Sequence, residues 1–241
     1  MSNQNVSSLT LTQLFLVTTV FGLAAGMRGC EAQLYNVAQV AHGEEVTGLD
    51  LKYKTQLTYL ALMDGCALAG GFLLGFNCFR HGFNCFRHNR TLQHPGHWLL
   101  GLAAIWYLGE RAVVMTRAYH IAYFDFNSSQ YIHFYSWAFS VVELLTFAGW
   151  VAATALVAKR FGKMWWFTFG VSATLNLVTV ASSLFGKWGD YSDALRLVLM
   201  VAIIGSVGQD IRQSATRDWL HWLGVVYTLF MLGLFALIHL W

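Results

Sequence analysis

The sequence carries little charge for its length. Aspartate, glutamate, lysine and arginine make up 11% of its 241 residues, whereas hydrophobic residues make up 56%. Soluble domains contain about 25% charged residues, so this chain lacks the polar side chains that would cover a globule in water. Its apolar runs reach the length of about 20 residues that crosses a hydrocarbon core about 30 Å thick. The composition therefore predicts an integral membrane protein.

Proline is almost absent, which favours long uninterrupted helices. The one proline, Pro95, falls between two apolar runs. Helices suit a bilayer because an open sheet in lipid would leave backbone N–H and C=O groups unpaired. The apolar runs predict seven spans, at about 10–30, 55–79, 98–124, 132–158, 163–186, 191–209 and 218–241. We therefore expect an all-α integral membrane protein, a seven-transmembrane-helix bundle that forms one polytopic domain over residues 1–241.

Positive charges are unevenly shared between the loops, and this bias predicts orientation. The loops after spans two, four and six carry eight of them: Arg80, Arg87, Arg90, Lys159, Arg160, Lys163, Arg212 and Arg217. The opposite side carries four: Arg28, Lys52, Lys54 and Lys187. We expect the N-terminus inside and the C-terminus outside, in a multi-pass protein of the plasma or inner membrane.

Several functional classes are excluded because their residues are missing. A retinal protein of the microbial rhodopsin type needs a lysine in its last helix, and residues 218–241 contain none. The chain has no P-loop, no GxGxxG before a helix and no HExxH. Its four cysteines do not have the spacing of a secreted disulfide scaffold. What remains is a membrane protein without a recognisable catalytic motif.

A heptad, GFNCFRH, occurs twice in tandem at residues 75–81 and 82–88. The repeat follows the second span, so we interpret it as a basic amphipathic extension at the membrane surface. Phe76 and Phe83 would lie at the acyl boundary, while Arg80 and Arg87 would contact anionic lipid headgroups at the inner face. A zinc site is an alternative, although one straight helix cannot place four ligands around an ion. A tolerated duplication without a role is the third interpretation.

Charged and strongly polar residues inside the spans are the main functional candidates. A charge near the bilayer centre costs at least about 2.5–3.5 kcal/mol, so such groups normally face a cavity or a partner. The candidates for substrate or ion binding are Asp64, Glu110, Arg111, Arg117, Glu143, Asn176 and Arg196. We expect an outward-opening polar cavity with the acids at its floor and arginines toward its mouth. The alternative is a set of structural ion pairs, such as Asp64 with Arg111 or Glu143 with Arg117.

Three histidines form a second, weaker candidate site. His120, His133 and His239 lie at similar predicted depth on three different spans. Together they could hold a metal ion or a haem, although interfacial histidines more often hydrogen-bond to water or headgroups. No metal site is predicted beyond these weak candidates, and no particular cofactor is indicated.

Three functions fit these patterns. The first is a small transporter or channel for an ion, a proton or a small polar solute, which uses the intramembrane carboxylates and arginines. The second is a membrane-embedded enzyme that modifies a lipid or isoprenoid, and the third is a cofactor-holding or structural subunit of a membrane complex. We favour transport. The expected partners are the lipid bilayer and a homo-oligomer or membrane-complex partner, and nothing indicates nucleic acid.

Overall fold

The computed structural model describes residues 11–41, 51–80, 94–123, 129–157, 161–185, 189–213, 215 and 217–240. Within these ranges all regular secondary structure is helical, as the sequence predicted. Seven helices are present among the described residues: α1 Leu11–Ala41, α2 Leu51–Arg80, α3 Pro95–Tyr123, α4 Ser129–Val157, α5 Lys163–Phe185, α6 Gly189–Arg212 and α7 Trp219–Leu240.

Five stretches of these helices are long and apolar enough to cross a membrane: Thr58–Phe76, Pro95–Ile121, His133–Leu156, Lys163–Ser182 and Tyr191–Arg212. In α7 the apolar stretch Trp219–Gly233 is shorter. These lengths match the thickness of a hydrocarbon core and support the expected multi-pass membrane protein. That all seven helices span the bilayer, and in which direction, stays a prediction.

The helix boundaries differ from the predicted spans at two informative places. Helix α1 continues to Ala41, well past the predicted end at residue 30, because no proline or charge cluster interrupts EAQLYNVAQVA. This extension brings Glu31 into the helix. Helix α3 begins at Pro95 itself, since the ring of proline fixes a helical φ and its missing N–H is not needed at the first helical position.

Five helices form a closed ring. Each of α3, α4, α5 and α6 packs against the next helix, and α7 packs against both α6 and α3. Helices α1 and α2 pack against each other and against α3, and α2 also contacts α7. Helix α3 is therefore shared by the ring and by the α1–α2 pair.

Aromatic side chains fill the ring toward the end where α5 and α7 begin. Trp165 and Phe169 are completely buried, and their ring centroids are 6.3 Å apart. Trp150 of α4 lies against Phe169 at 5.6 Å. The outer surface instead exposes large apolar side chains, for example Leu145 and Val201. An apolar exterior of this kind suits contact with lipid.

The start of α3 touches the start of α7 backbone to backbone. A Cβ on Gly96 would overlap the carbonyl group of His221, and a Cβ on Gly224 would overlap the carbonyl group of Gly96. Only glycine permits this approach. The contact closes the ring between its first and last helices.

Candidate functional site

A chamber of about 200 Å³, partly open to the surroundings, lies inside the ring. All five ring helices contribute to its wall. The polar side chains that line it are Trp106, Glu143, Thr146, Ser172, Asn176, Thr179, Arg196, Tyr227 and Thr228, among apolar residues such as Leu99, Trp150 and Leu199. Three of the predicted site residues, Glu143, Asn176 and Arg196, therefore meet in one cavity.

The two charged groups of the chamber have different surroundings. The carboxylate of Glu143 accepts a hydrogen bond of 2.9 Å from the indole N–H of Trp106, a neutral donor. The guanidinium of Arg196 donates a hydrogen bond of 2.6 Å to Asp193, one turn earlier on α6. Arg196 thus has an acidic partner, whereas Glu143 is held by an uncharged one.

The neutral polar groups of the chamber are anchored to their own helices. Thr146, Ser172 and Thr228 donate their hydroxyl protons to the carbonyls four residues earlier, at 2.9, 2.9 and 2.8 Å. Asn176 donates from Nδ2 to the carbonyl of Ser172 at 3.0 Å. These bonds fix the oxygen atoms of the side chains in place.

A second polar cluster, the α1–α3 ion network, consists of Arg28, Glu31, Asp64, Glu110 and Arg111. Arg28 donates from Nε to Asp64 at 2.5 Å and from NH1 to Glu31 at 3.3 Å. Arg111 donates to Glu31 at 2.5 Å and to Glu110 at 2.8 Å. Asp64 and Arg111 are almost fully buried. The network joins α1, α2 and α3 outside the ring.

This network differs from the ion pairs considered in the sequence. Asp64 pairs with Arg28 rather than Arg111, and Glu143 bonds to Trp106 rather than Arg117. The predicted site residues are divided between two clusters instead of sharing one cavity.

One end of the ring is closed by a polar plug, which consists of Trp165, Asp210, Arg217 and His221. Asp210 accepts hydrogen bonds from Arg217 Nε at 2.9 Å, from Arg217 NH2 at 2.7 Å and from Trp165 Nε1 at 3.2 Å. His221 is fully buried, with Nε2 3.6 Å from Asp210. Its Nδ1 accepts the backbone N–H of Gly96 at 2.8 Å.

His94, His97 and Asp218 border the plug. His97 Nε2 lies 2.8 and 3.0 Å from the carboxylate oxygens of Asp218, and Asp218 caps α7 by accepting the N–H of His221 at 2.9 Å. Burial tends to raise the pKa of Asp218, but the hydrogen bond and charge of His97 outweigh it and hold the pKa below its usual range. Burial lowers the pKa of His94 and outweighs the attraction of Asp218.

The other predicted residues lie away from both clusters or outside the described side chains. Arg117 and His133 are exposed on α3 and α4. His120 is within hydrogen-bond distance of the Tyr135 hydroxyl, and its Nδ1 is 3.0 Å from the carbonyl of Thr116. Phe76 is 42% exposed near the end of α2. The remaining four, Arg80, Phe83, Arg87 and His239, have side chains outside the described set.

Among the side chains that the structure describes, no group of three or more histidine, cysteine, aspartate or glutamate residues is placed to hold a metal ion. Three histidines do meet, His221 of the plug and its neighbours His94 and His97. The ring centroids are 5.2 Å apart for His94 and His97 and 6.1 Å apart for His94 and His221. They are occupied by Asp218, Arg217 and the backbone of Gly96.

Sequence reasoning missed four charged or titratable residues, of which Arg28, Asp210 and His221 are buried and Glu31 is partly buried. Arg28 and Glu31 were placed at and beyond the end of the first span, although their i,i+3 spacing is the signal for a helical pair. Asp210 and His221 were missed because they sit at predicted span ends, where polar residues are ordinary. In the structure they are 2% and 0% exposed.

Comparison with known proteins identifies no relative of this chain. No family model matches the chain, and searches of curated proteins and of solved structures return no match.

Proposed function

We propose that this protein is a small integral membrane transporter or channel, and that an ion or small polar solute binds in the chamber of the five-helix ring. One observation carries the proposal. A carboxylate, a guanidinium and a carboxamide, from Glu143, Arg196 and Asn176 on three different helices, converge on one cavity inside the bundle. Polar groups in lipid are expensive, and they typically mark substrate or ion pathways.

The size and closure of the chamber support a small solute. Its volume of about 200 Å³ is below the roughly 300–1,000 Å³ of pockets for drug-sized ligands. The polar plug closes the end of the ring for which the loop charges predict a cytoplasmic position. The proposed access is therefore from the outer side, with the plug as the opposite gate.

Direct measurement of solute movement tests the proposal. The purified protein is reconstituted into liposomes, and currents are recorded on a solid-supported membrane after concentration jumps of Na⁺, K⁺, methylammonium, glycine and acetate, and after pH jumps. We expect at least one current in the wild type, and at least a tenfold smaller one in Glu143→Gln and Arg196→Gln. A wild-type protein that moves none of them, or charge variants that move them equally well, would refute the assignment.

A matched pair of threonines controls for general disturbance of the helices. Thr228 lines the chamber and Thr174 faces outward, yet each donates its hydroxyl to the carbonyl four residues earlier, at 2.8 and 3.0 Å. Thr228→Val should change the current, whereas Thr174→Val should not. Equal effects would mean that the chamber wall has no special role.

A lipid- or isoprenoid-modifying enzyme is the second candidate, because a groove of about 920 Å³ lies between α1, α2 and α3. Its lining is almost entirely apolar, from Val20 and Leu23 to Leu68 and Phe72, with His97 near one end. Such a groove suits an acyl or isoprenoid chain. Mass spectrometry of lipids extracted from the purified protein tests it, since bulk lipid composition would leave this candidate without support.

A further inference from the structure

We infer that the chamber binds a small organic ammonium cation, so that the solute class is an alkylammonium rather than an anion, a sugar-like neutral solute or a metal ion. This inference deepens the proposed function and rests on it for the role of the chamber. Three properties of the chamber wall carry it: the partners of its two charged groups, the polarity of its hydrogen-bonding groups and its aromatic surface.

The two charged groups of the chamber wall differ in how their charge is compensated. Among the described lining residues, Glu143 and Arg196 are the charged ones. Arg196 is compensated by Asp193 at 2.6 Å, whereas Glu143 is bonded to the neutral indole of Trp106. A cationic ligand can therefore pair with the carboxylate of Glu143, whereas an anion would have to compete with Asp193 for Arg196. Such a pairing is strongest where water is excluded.

The threonine, serine and asparagine side chains of the wall offer acceptors. The hydroxyl protons of Thr146, Ser172 and Thr228 are donated to backbone carbonyls, so their oxygen atoms present lone pairs. The Nδ2 of Asn176 is bonded to the carbonyl of Ser172, which directs Oδ1 elsewhere. The indole N–H of Trp106 is bonded to Glu143. A ligand rich in N–H donors complements such a wall.

Aromatic rings provide the third property. Trp106, Trp150 and Tyr227 come from three different helices and line the same chamber. The negative face of an aromatic ring attracts ammonium groups within about 6 Å of its centroid, with tryptophan the strongest. A carboxylate together with several aromatic rings is a suitable environment for an organic ammonium head.

A bare metal ion fits this wall less well. Hard cations such as Ca²⁺ take about 6–8 oxygen ligands and prefer carboxylates, while the chamber offers one carboxylate, and its other side-chain oxygens are neutral hydroxyl and amide groups. No metal-holding cluster is present among the described side chains. An alkylammonium instead uses both surfaces, because its N–H groups meet the oxygens and its carbons meet the rings.

Binding of three probes of equal chain length tests the inference. Propylammonium, propionate and propan-1-ol differ in charge but barely in size. Each is titrated into the detergent-purified wild-type protein, and binding is followed by isothermal calorimetry and by the midpoint of thermal unfolding. Propylammonium should bind saturably and at least tenfold more tightly than the other two. Equal or tighter binding of propionate, or no saturable binding of propylammonium, would overturn the inference without reference to any variant.

Variants then locate the site. Glu143→Gln keeps the shape of the side chain and should weaken propylammonium binding at least tenfold, and Trp150→Leu should weaken it severalfold. Trp166→Leu is the matched control, since Trp166 is 51% exposed on the outside of α5. Size-exclusion elution and circular dichroism show whether each variant is folded. A folded Glu143→Gln protein with unchanged affinity would refute the assignment.

The outcomes separate this inference from the proposed function. If propylammonium binds in the chamber but no current is recorded, the ammonium site stands and transport is refuted. If Glu143-dependent currents are carried by other solutes while propylammonium does not bind, transport stands and the ammonium site is refuted.

Discussion

Replacing Asp210 by asparagine is expected to destabilise the protein strongly, because Asp210 holds the polar plug together. Asp210 is only 2% exposed. Its carboxylate accepts two hydrogen bonds from Arg217, at 2.9 and 2.7 Å, and one from Trp165, at 3.2 Å. Asparagine keeps the volume of the side chain but removes its charge and turns one acceptor into a donor. The guanidinium of Arg217 is then left without its counter-charge.

The expected loss is about 3 kcal/mol. Removing one partner of a buried ion pair costs about 3–5 kcal/mol because the other charge stays buried. The lower end applies here, since the side chain of Arg217 is 12% exposed and lies at the end of the ring. With about 2–4 °C of Tm per kcal/mol for a chain of this size, the Tm should fall by about 6–12 °C.

The assay is thermal unfolding in detergent, with a second aspartate–arginine pair as control. Asp193 pairs with Arg196 at 2.6 Å, but its side chain is 46% exposed, and such pairs contribute at most about 1 kcal/mol. Asp193→Asn should therefore lower the Tm by a few degrees at most. The double variant Asp210→Asn with Arg217→Gln should lose less stability than the sum of the losses of the two single variants.

A decrease in Tm for Asp210→Asn that is as small as the decrease for Asp193→Asn would refute the reasoning. Strict additivity of the two single variants at the plug would refute it as well, because coupled charges are what the geometry requires.

Two further predictions concern the same end of the ring. Gly224→Ala should lower the free energy of unfolding by about 1–3 kcal/mol through overpacking, because the new Cβ would meet the carbonyl carbon of Gly96 at 2.9 Å. The control is Gly26→Ala, which should leave the Tm unchanged or higher because a Cβ there would have no atom within 4 Å. Equal Tm values would contradict this. The Tm should also fall between pH 7 and pH 5, because burial lowers the pKa of His94 and the unfolded chain binds that proton more readily. His94→Gln should flatten this dependence while exposed His133→Gln should not, and equal slopes would argue against His94 as its origin.

The helices could be predicted from the sequence because they follow from length and polarity alone. Every apolar run of about 20 residues became a helix within a few residues of the expected boundaries. The main exception is the end of α1, where a mixed polar and apolar stretch up to Ala41 stays helical. Hydropathy marks where a helix leaves the apolar core and gives little information on where it stops.

The chamber could be predicted only in part. The sequence indicates how deep a residue lies in the membrane, but it does not indicate which residues of other helices surround it. Glu143, Asn176 and Arg196 share a cavity because α4, α5 and α6 are consecutive ring helices. The sequence placed Glu143 at the floor of that cavity and Arg196 toward its mouth. Asp64 was assigned to the same cavity, yet α2 lies outside the ring. Its partner Arg28 comes from α1, and no periodicity in one helix reveals which charge on another will reach it.

Ring closure by α7 has a consequence for biogenesis. A ribosome delivers α3, α4, α5 and α6 before the helix that carries Tyr227 and Thr228 exists, so the side of the chamber formed by those residues is missing at that stage. Until α7 docks between α6 and α3, Glu143 and Arg196 face either lipid or whatever shields them during insertion. The nascent chain should therefore stay bound to insertion chaperones until α7 emerges, and variants that slow the docking of α7 should be degraded rather than misassembled.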